Sequence, residues 1–219
     1  MGKLYSVLSA AMRVFSPKMK TVWETEFDGE PAVFCPNHAG ALGPINICAK
    51  FPLRDKCHPW MNAAMIDPKQ VPAYVRQDYW WAPGSFFEPI LTRTLPYLAA
   101  LILPPIFRSA PVIPVYHDIQ VVKTFRLSVE HLSQGKHLVI FPEIPDGYQS
   151  YSKQLYNGFL RIAPMAYQKL NIRLKFYPVY IDAKSHLFIV SAPVEYDPDK
   201  ALEEQEEHIL NVISSGLRG

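Results

Sequence analysis

The run Phe34-Cys35-Pro36-Asn37-His38-Ala39-Gly40-Ala41-Leu42-Gly43-Pro44 decides the fold class. Ahead of it, Ala32 to Cys35 is apolar and reads as a buried strand. Behind it a helix can begin, because Pro44 suits a first helical turn and Gly43 can stand before it. His38 then sits in a strand-to-helix turn, at the carboxyl end of a strand. In open α/β sheets that edge is where ligands bind.

The same alternation continues downstream. Gln120 to Ser133 is apolar at helical spacing through Val121, Val122, Phe125, Leu127 and Leu132, and Gly135 ends it. His137 to Phe141 reads as a buried strand, and Pro142 to Ser152 as a turn-rich loop. Leu155 to Leu170 reads as a helix, Arg173 to Ile181 and Leu187 to Val194 as strands, and Asp199 to Ser215 as a polar terminal helix. Upstream, Thr21 to Phe27 reads as a strand joined to Ala32–Cys35 by the turn Asp28-Gly29-Glu30. The first helix after His38 ends near Lys50. Trp60 to Met65 reads as a strand, Gln70 to Trp81 as a helix, Phe86 to Leu103 as helical with kinks at Pro89 and Pro96, and Val112 to Tyr116 as a short strand. Strands alternating with helices predict an α/β fold, a mostly parallel central sheet flanked by helices, in a single domain over residues 1–219.

At the amino terminus, Leu4, Val7, Leu8, Ala11, Met12 and Phe15 recur at helical spacing, so residues 1–18 hold an amphipathic helix. Lys3, Arg13, Lys18 and Lys20 lie on or just after it, as in helices that lie in a membrane interface. It can pack on the domain with one side and touch lipid with the other. Arg13 interrupts the apolar stretch, which argues against a signal peptide. The longest apolar run, Tyr97 to Phe107, is interrupted by Pro104 and Pro105 and falls short of the ~20 residues of a membrane span. The expected location is therefore cytoplasmic, peripheral on the inner face of the membrane.

A net charge of +2 on 219 residues gives no support to a nucleic-acid partner. The 21 prolines mostly close apolar runs. Cys35, Cys48 and Cys57 are odd in number and widely spaced, so no disulfide framework or metal site is expected, and reduced thiols are.

Three strand ends carry polar residues. They are Asn37-His38, then Tyr116-His117-Asp118 after Val112–Val115, then Phe141-Pro142-Glu143 after Val139-Ile140. If the strands are parallel neighbours, His38, His117 and Glu143 share one edge and can converge on one cleft. A histidine there can act as a general base, since its unperturbed pKa is about 6.5.

In order and spacing these segments resemble the conserved blocks of the glycerophospholipid acyltransferases, the lysophosphatidic acid acyltransferase superfamily. That family has N-H-x-x-x-x-D, a strand ending in Arg, F-P-E-G, and a strand with a V-P-V-like core. The counterparts here are Asn37-His38, the strand ending at His117, Phe141-Pro142-Glu143 and Tyr177-Pro178-Val179, with Asn157-Gly158-Phe159 resembling the segment after F-P-E-G. The resemblance covers roughly residues 20 to 195. The chain departs from it at four places. The family's Asp falls on Gly43, its block Arg on His117, the Gly after F-P-E on Ile144, and the Arg that follows nearby on Asp146 or its neighbours.

The resemblance implies a membrane-associated acyltransferase acting in lipid biosynthesis. His38 and Glu143 would be catalytic, and Asn37, His117, Phe141 and Pro142 would bind substrate. No cofactor is implied, only acyl-CoA or acyl carrier protein as co-substrate. The partners would be an acyl thioester donor, a lipid or lipid-like acceptor and a membrane surface. With Gly43 in the Asp position, Asp118, Glu143 and Asp146 are the candidates to replace that carboxylate. Two other readings use the same residues: a non-catalytic acyl-chain or lipid-binding relative, and a thioesterase-like hydrolase. The tract Phe86 to Phe107, with Trp80 and Trp81 before it, reads either as an acyl slot and bilayer surface or as plain core.

Overall fold

A computed structural model describes residues 2–39, 42–77, 80–148 and 150–218. In chain order the elements are α1 (Lys3–Phe15), β1 (Lys20–Trp23), β2 (Ala32–Pro36), α2 (Leu42–Lys50), β3 (Cys57–Asn62), α3 (Val71–Gln77), α4 (Glu88–Ser109), β4 (Ile113–Val115), α5 (Val121–Ser133), β5 (His137–Val139), β6 (Glu143–Gly147), β7 (Ser150–Leu155), α6 (Ile162–Leu170), β8 (Lys175–Asp182), β9 (Leu187–Val190), β10 (Val194–Glu195) and α7 (Leu202–Gly216).

The main sheet runs β1-β9-β8-β2-β5-β3-β4, with β10 paired to β8. β8, β2, β5, β3 and β4 are successive parallel neighbours, while β9 and β10 run antiparallel to β8. The architecture is thus α/β with a mostly parallel sheet. The expected turn at Asp28-Gly29-Glu30 does not join paired strands. β1 is shorter than expected and is separated from β2 by two strands, β9 and β8, and runs parallel to β9.

Side-chain alternation along the buried strands feeds two cores. Val33 and Cys35 of β2, Leu138 and Phe176 face α5, α6 and α7. Ala32 and Phe34, Val139, Tyr177 and Val179 face Ile47 and Phe51 on the other side. That second core is aromatic, with Phe34 in ring contact with Trp23, Phe27, Phe51 and Tyr177. Both faces of the sheet are covered, so β2 is buried along its whole length.

Several elements differ from the sequence expectation. Cys57–Asn62 is the strand where Trp60 to Met65 was expected, and Ala63–Ile66 forms a 3-10 turn capped by the Asn62 side chain. The expected helix over 70–81 is Val71–Gln77, with residues 78 and 79 outside the described residues. The loop expected over Pro142 to Ser152 is largely the β6–β7 hairpin. The helix expected from Leu155 begins only at Ile162, after a 3-10 turn.

α4 is the largest departure. It runs unbroken through Pro96, Pro104 and Pro105. An interior proline costs about 3 kcal/mol, and packing of Leu95, Ala99 and Leu103 against Val71, Val75, Trp80 and Trp81 opposes that cost. The resulting 22-residue helix has a mean hydropathy of 1.5 over its most apolar stretch, of which only 17% is buried. By length and composition it is long enough to cross a membrane, contrary to the expectation from its prolines.

α1 is amphipathic, and its orientation is inverted for a packed surface helix. None of its residues is buried. Its more polar side meets the protein. The Tyr5 hydroxyl donates to the Cys48 carbonyl at 3.2 Å, and the Tyr5 N–H donates to Ser109 Oγ at 3.0 Å. The apolar stripe of Leu4, Val7, Leu8, Val14 and Phe15 points outward, and Phe15 is 88% exposed.

Candidate active site

The carboxyl ends of β2, β5, β3 and β4 open on one edge of the sheet in that order. His38 follows β2, Glu143 follows β5, Asn62 ends β3 and His117 follows β4. His38 and Glu143 meet. The His38 backbone N–H donates to Glu143 Oε2 at 2.6 Å, and the same oxygen lies 3.3 Å from His38 Nδ1. One carboxylate thus holds both the backbone and the ring of the histidine. On hydrogen-bonding grounds the imidazole proton belongs on Nδ1, facing the carboxylate, which leaves Nε2 as the basic nitrogen.

Two aromatic rings fix the plane of the imidazole. Tyr151 of β7 stacks on it at 4.7 Å with 10° between the planes, and Phe141 lies against it at 4.9 Å. The His38 and Glu143 side chains are 23% and 17% exposed, so the pair is reachable but mostly shielded from water. The hairpin carrying Tyr151 is closed at its base by Pro142, whose carbonyl accepts from the Tyr156 N–H at 2.8 Å.

The turn around His38 is tightly specified. Asn37 anchors it by accepting from the Ile181 N–H at 2.6 Å through Oδ1, while its own N–H donates to the Val179 carbonyl at 3.2 Å. These bonds tie the end of β2 to β8. Ala39, the next residue after the histidine, is held at φ 45°, a left-handed conformation that a non-glycine residue rarely adopts. Gly43 lies so close to this turn that a Cβ built on it would fall onto the carbonyl oxygen of His38. Position 43 has no room for any side chain, a carboxylate included. Gly40 and Ala41 of the same run lie outside the described residues.

Of the three candidate replacements for the absent Asp, Glu143 is the one in contact with His38. Asp118 instead accepts from the Gln120 N–H at 2.8 Å in its own turn, and Asp146 is exposed on the hairpin. His117 does not converge with His38 as expected. Its Nε2 accepts from Asn62 Nδ2 at 3.3 Å, three strand spacings from β2, or about 14 Å along the edge. Asn62 and Tyr151 are the neighbours that sequence reasoning missed. Asn62 carried the same signal as His38, a polar residue closing an apolar strand. Tyr151 carried none, because its segment has no clean strand alternation. Among the described residues, no cluster of three His, Cys, Asp or Glu side chains is placed to hold a metal ion.

No family model matches this chain, and no curated protein matches it. A similar solved structure is the crystal structure of the 1-acyl-sn-glycerophosphate (LPA) acyltransferase PlsC from Thermotoga maritima. The two share 13% identity at a TM-score of 0.47, over 98% of this chain and 76% of that one.

Proposed function

We propose that this protein is an acyltransferase that moves a fatty acyl group from an acyl-CoA or acyl-carrier-protein thioester to a hydroxyl or amine of a lipid-like acceptor. It would work peripherally at the inner face of the cytoplasmic membrane. The observation that carries this reading is the double contact of Glu143 with His38, at the ligand-binding edge of a parallel sheet. The resemblance of the four sequence blocks supports it. The outward apolar stripe of α1 and the exposed face of α4 support the membrane part.

In this mechanism His38 Nε2 removes the proton of the acceptor hydroxyl as its oxygen attacks the thioester carbonyl. Glu143 keeps the ring in the productive tautomer and stabilises the imidazolium that forms. The C–S bond then breaks, and the departing thiolate takes the proton back from His38. The products are an ester and a free thiol, and the histidine returns to its starting state. Glu143 thereby does the work of the family Asp from the other side of the turn. Its contact with the ring favours this reading over the non-catalytic one, whose motive was Gly43.

The test is turnover of purified protein with acyl-CoA or acyl carrier protein and a panel of lipid acceptors. His38→Ala should lose activity. Glu143→Gln should lower kcat by about 10³ to 10⁴, the scale seen when the orienting carboxylate of a histidine is spoiled, with KM changed far less. A His38→Ala variant as fast as the parent would overturn the mechanism. Free fatty acid released without any acceptor would identify a hydrolase instead.

A further inference from the structure

The polar side of α1 lines a partly open cavity of about 90 Å³ against the end of α2 and the turn Arg54–Lys56. Its walls include Tyr5, Ser6, Ser9, Arg13, Arg54 and Asp55. A cavity of this size, open to solvent on one side, admits a small group such as a tetrahedral oxyanion. The donors suit such a group. Two guanidiniums and two serine hydroxyls line it, and a single carboxylate, Asp55, leaves the cavity net positive. Arg13 Nη1 already donates to Ser9 Oγ at 3.0 Å, which holds its fork in place. Asp55 is largely exposed, and its Oδ2 lies 3.5 Å from Arg54 Nη2.

A second observation concerns Arg54. Arg54 Nε is buried and has no hydrogen-bond partner among the described residues. A buried donor of a charged group left unpaired is costly, and such groups call for a bound ion or water. The position of the cavity narrows the choice. On a helical wheel, residues 5, 6, 9 and 13 lie opposite the outward stripe of Leu4, Val7, Val14 and Phe15. With that stripe sunk about 5–10 Å into the acyl boundary, the opposite side of α1 stands at the level of the lipid headgroups.

We propose that this cavity seats the phosphate of an anionic phospholipid, with Arg13 and Arg54 as its forked ligands. The proposal rests on the membrane reading above and gives it lipid selectivity. Sedimentation with vesicles tests it, using pure phosphatidylcholine and phosphatidylcholine mixed with phosphatidylglycerol, alongside titration with inorganic phosphate. The parent should bind the anionic vesicles at least tenfold more tightly than the neutral ones. Arg13→Gln and Arg54→Gln should each cost about fivefold on the anionic vesicles, with unchanged circular dichroism. Arg54→Lys keeps the charge and removes the Nε donor, so a built seat should lose affinity there as well.

If Arg54→Lys and Arg54→Gln both bind like the parent while vesicle binding persists, the seat is wrong and the membrane reading stands. If the parent binds no vesicle of either composition, both fall. Saturable binding of inorganic phosphate without any preference for anionic vesicles would overturn the lipid assignment and leave a free-phosphate site.

Discussion

Where the family that the sequence resembles has an aspartate, this chain has Gly43, and a glutamate from elsewhere in the chain meets the histidine. Gly43 admits the backbone of α2 against the His38 carbonyl, and Glu143 arrives from 105 residues away to hold the ring. A Cβ at position 43 must push the His38 turn aside. Gly43→Ala is therefore expected to destabilise the protein by about 1–3 kcal/mol, the range for overpacking, measured as a lower urea midpoint with an unchanged slope. Gly43→Asp should do the same and gain no activity. The histidine itself was legible in the sequence because strand, turn and helix are local patterns. Its partner was legible only as one of three candidates, since a contact between Glu143 and His38 depends on which strands become neighbours. The sequence set His38, His117 and Glu143 on one edge. It could not set the spacing along that edge, which the strand order decides by placing β5 and β3 between β2 and β4.

At the scale of elements, the amino-terminal edge of the sheet concentrates histidines held neutral. His58 of β3 and His131 of α5 stack with ring centres 3.8 Å apart. His137 of β5 is 1% exposed and lies edge-on to the rings of Phe27 and Phe34. Burial pushes His58 and His137 down to about 4, helped by His131 and Lys136 for His58 and by Lys56 and Lys136 for His137. It lowers His131 as well. In the unfolded chain these groups return to about 6.5. Between those values the unfolded state binds more protons than the folded one. Stability is full above about pH 6.5 and is lost as the pH falls toward 4. Asp28, Asp67, Asp182 and Asp197, also held low, add to this only near their own unfolded value of 3.8 and below. Urea midpoints measured from pH 7 to 4.5 should fall steadily, and His137→Phe, which cannot titrate, should flatten the slope. Elements with strong periodicity, such as α5, were readable within a residue or two. The β6–β7 hairpin and the continuation of α4 past Pro104 were not, because tertiary packing overrides the local signals of turn residues and proline.

For the molecule as a whole, the surface divides by chemistry. The edge that carries His38 and Glu143 lies on the sheet, while most of the exposed large apolar side chains lie on α1, α4 and the Phe86-Phe87 turn before α4. Replacing Val7 and Phe15 by serine removes apolar area that contributes no buried contact in the fold. The double variant should bind phosphatidylcholine vesicles several-fold less tightly, with its thermal midpoint within about 2 °C of the parent. The inverted orientation of α1 has a further consequence in plain buffer. With no bilayer to receive them, Leu101 of α4 at 74% exposure and Phe15 of α1 at 88% leave apolar surface that a second molecule can cover. Purified without detergent, the protein should self-associate as its concentration rises, and a mild detergent above its micellar threshold should return it to monomers.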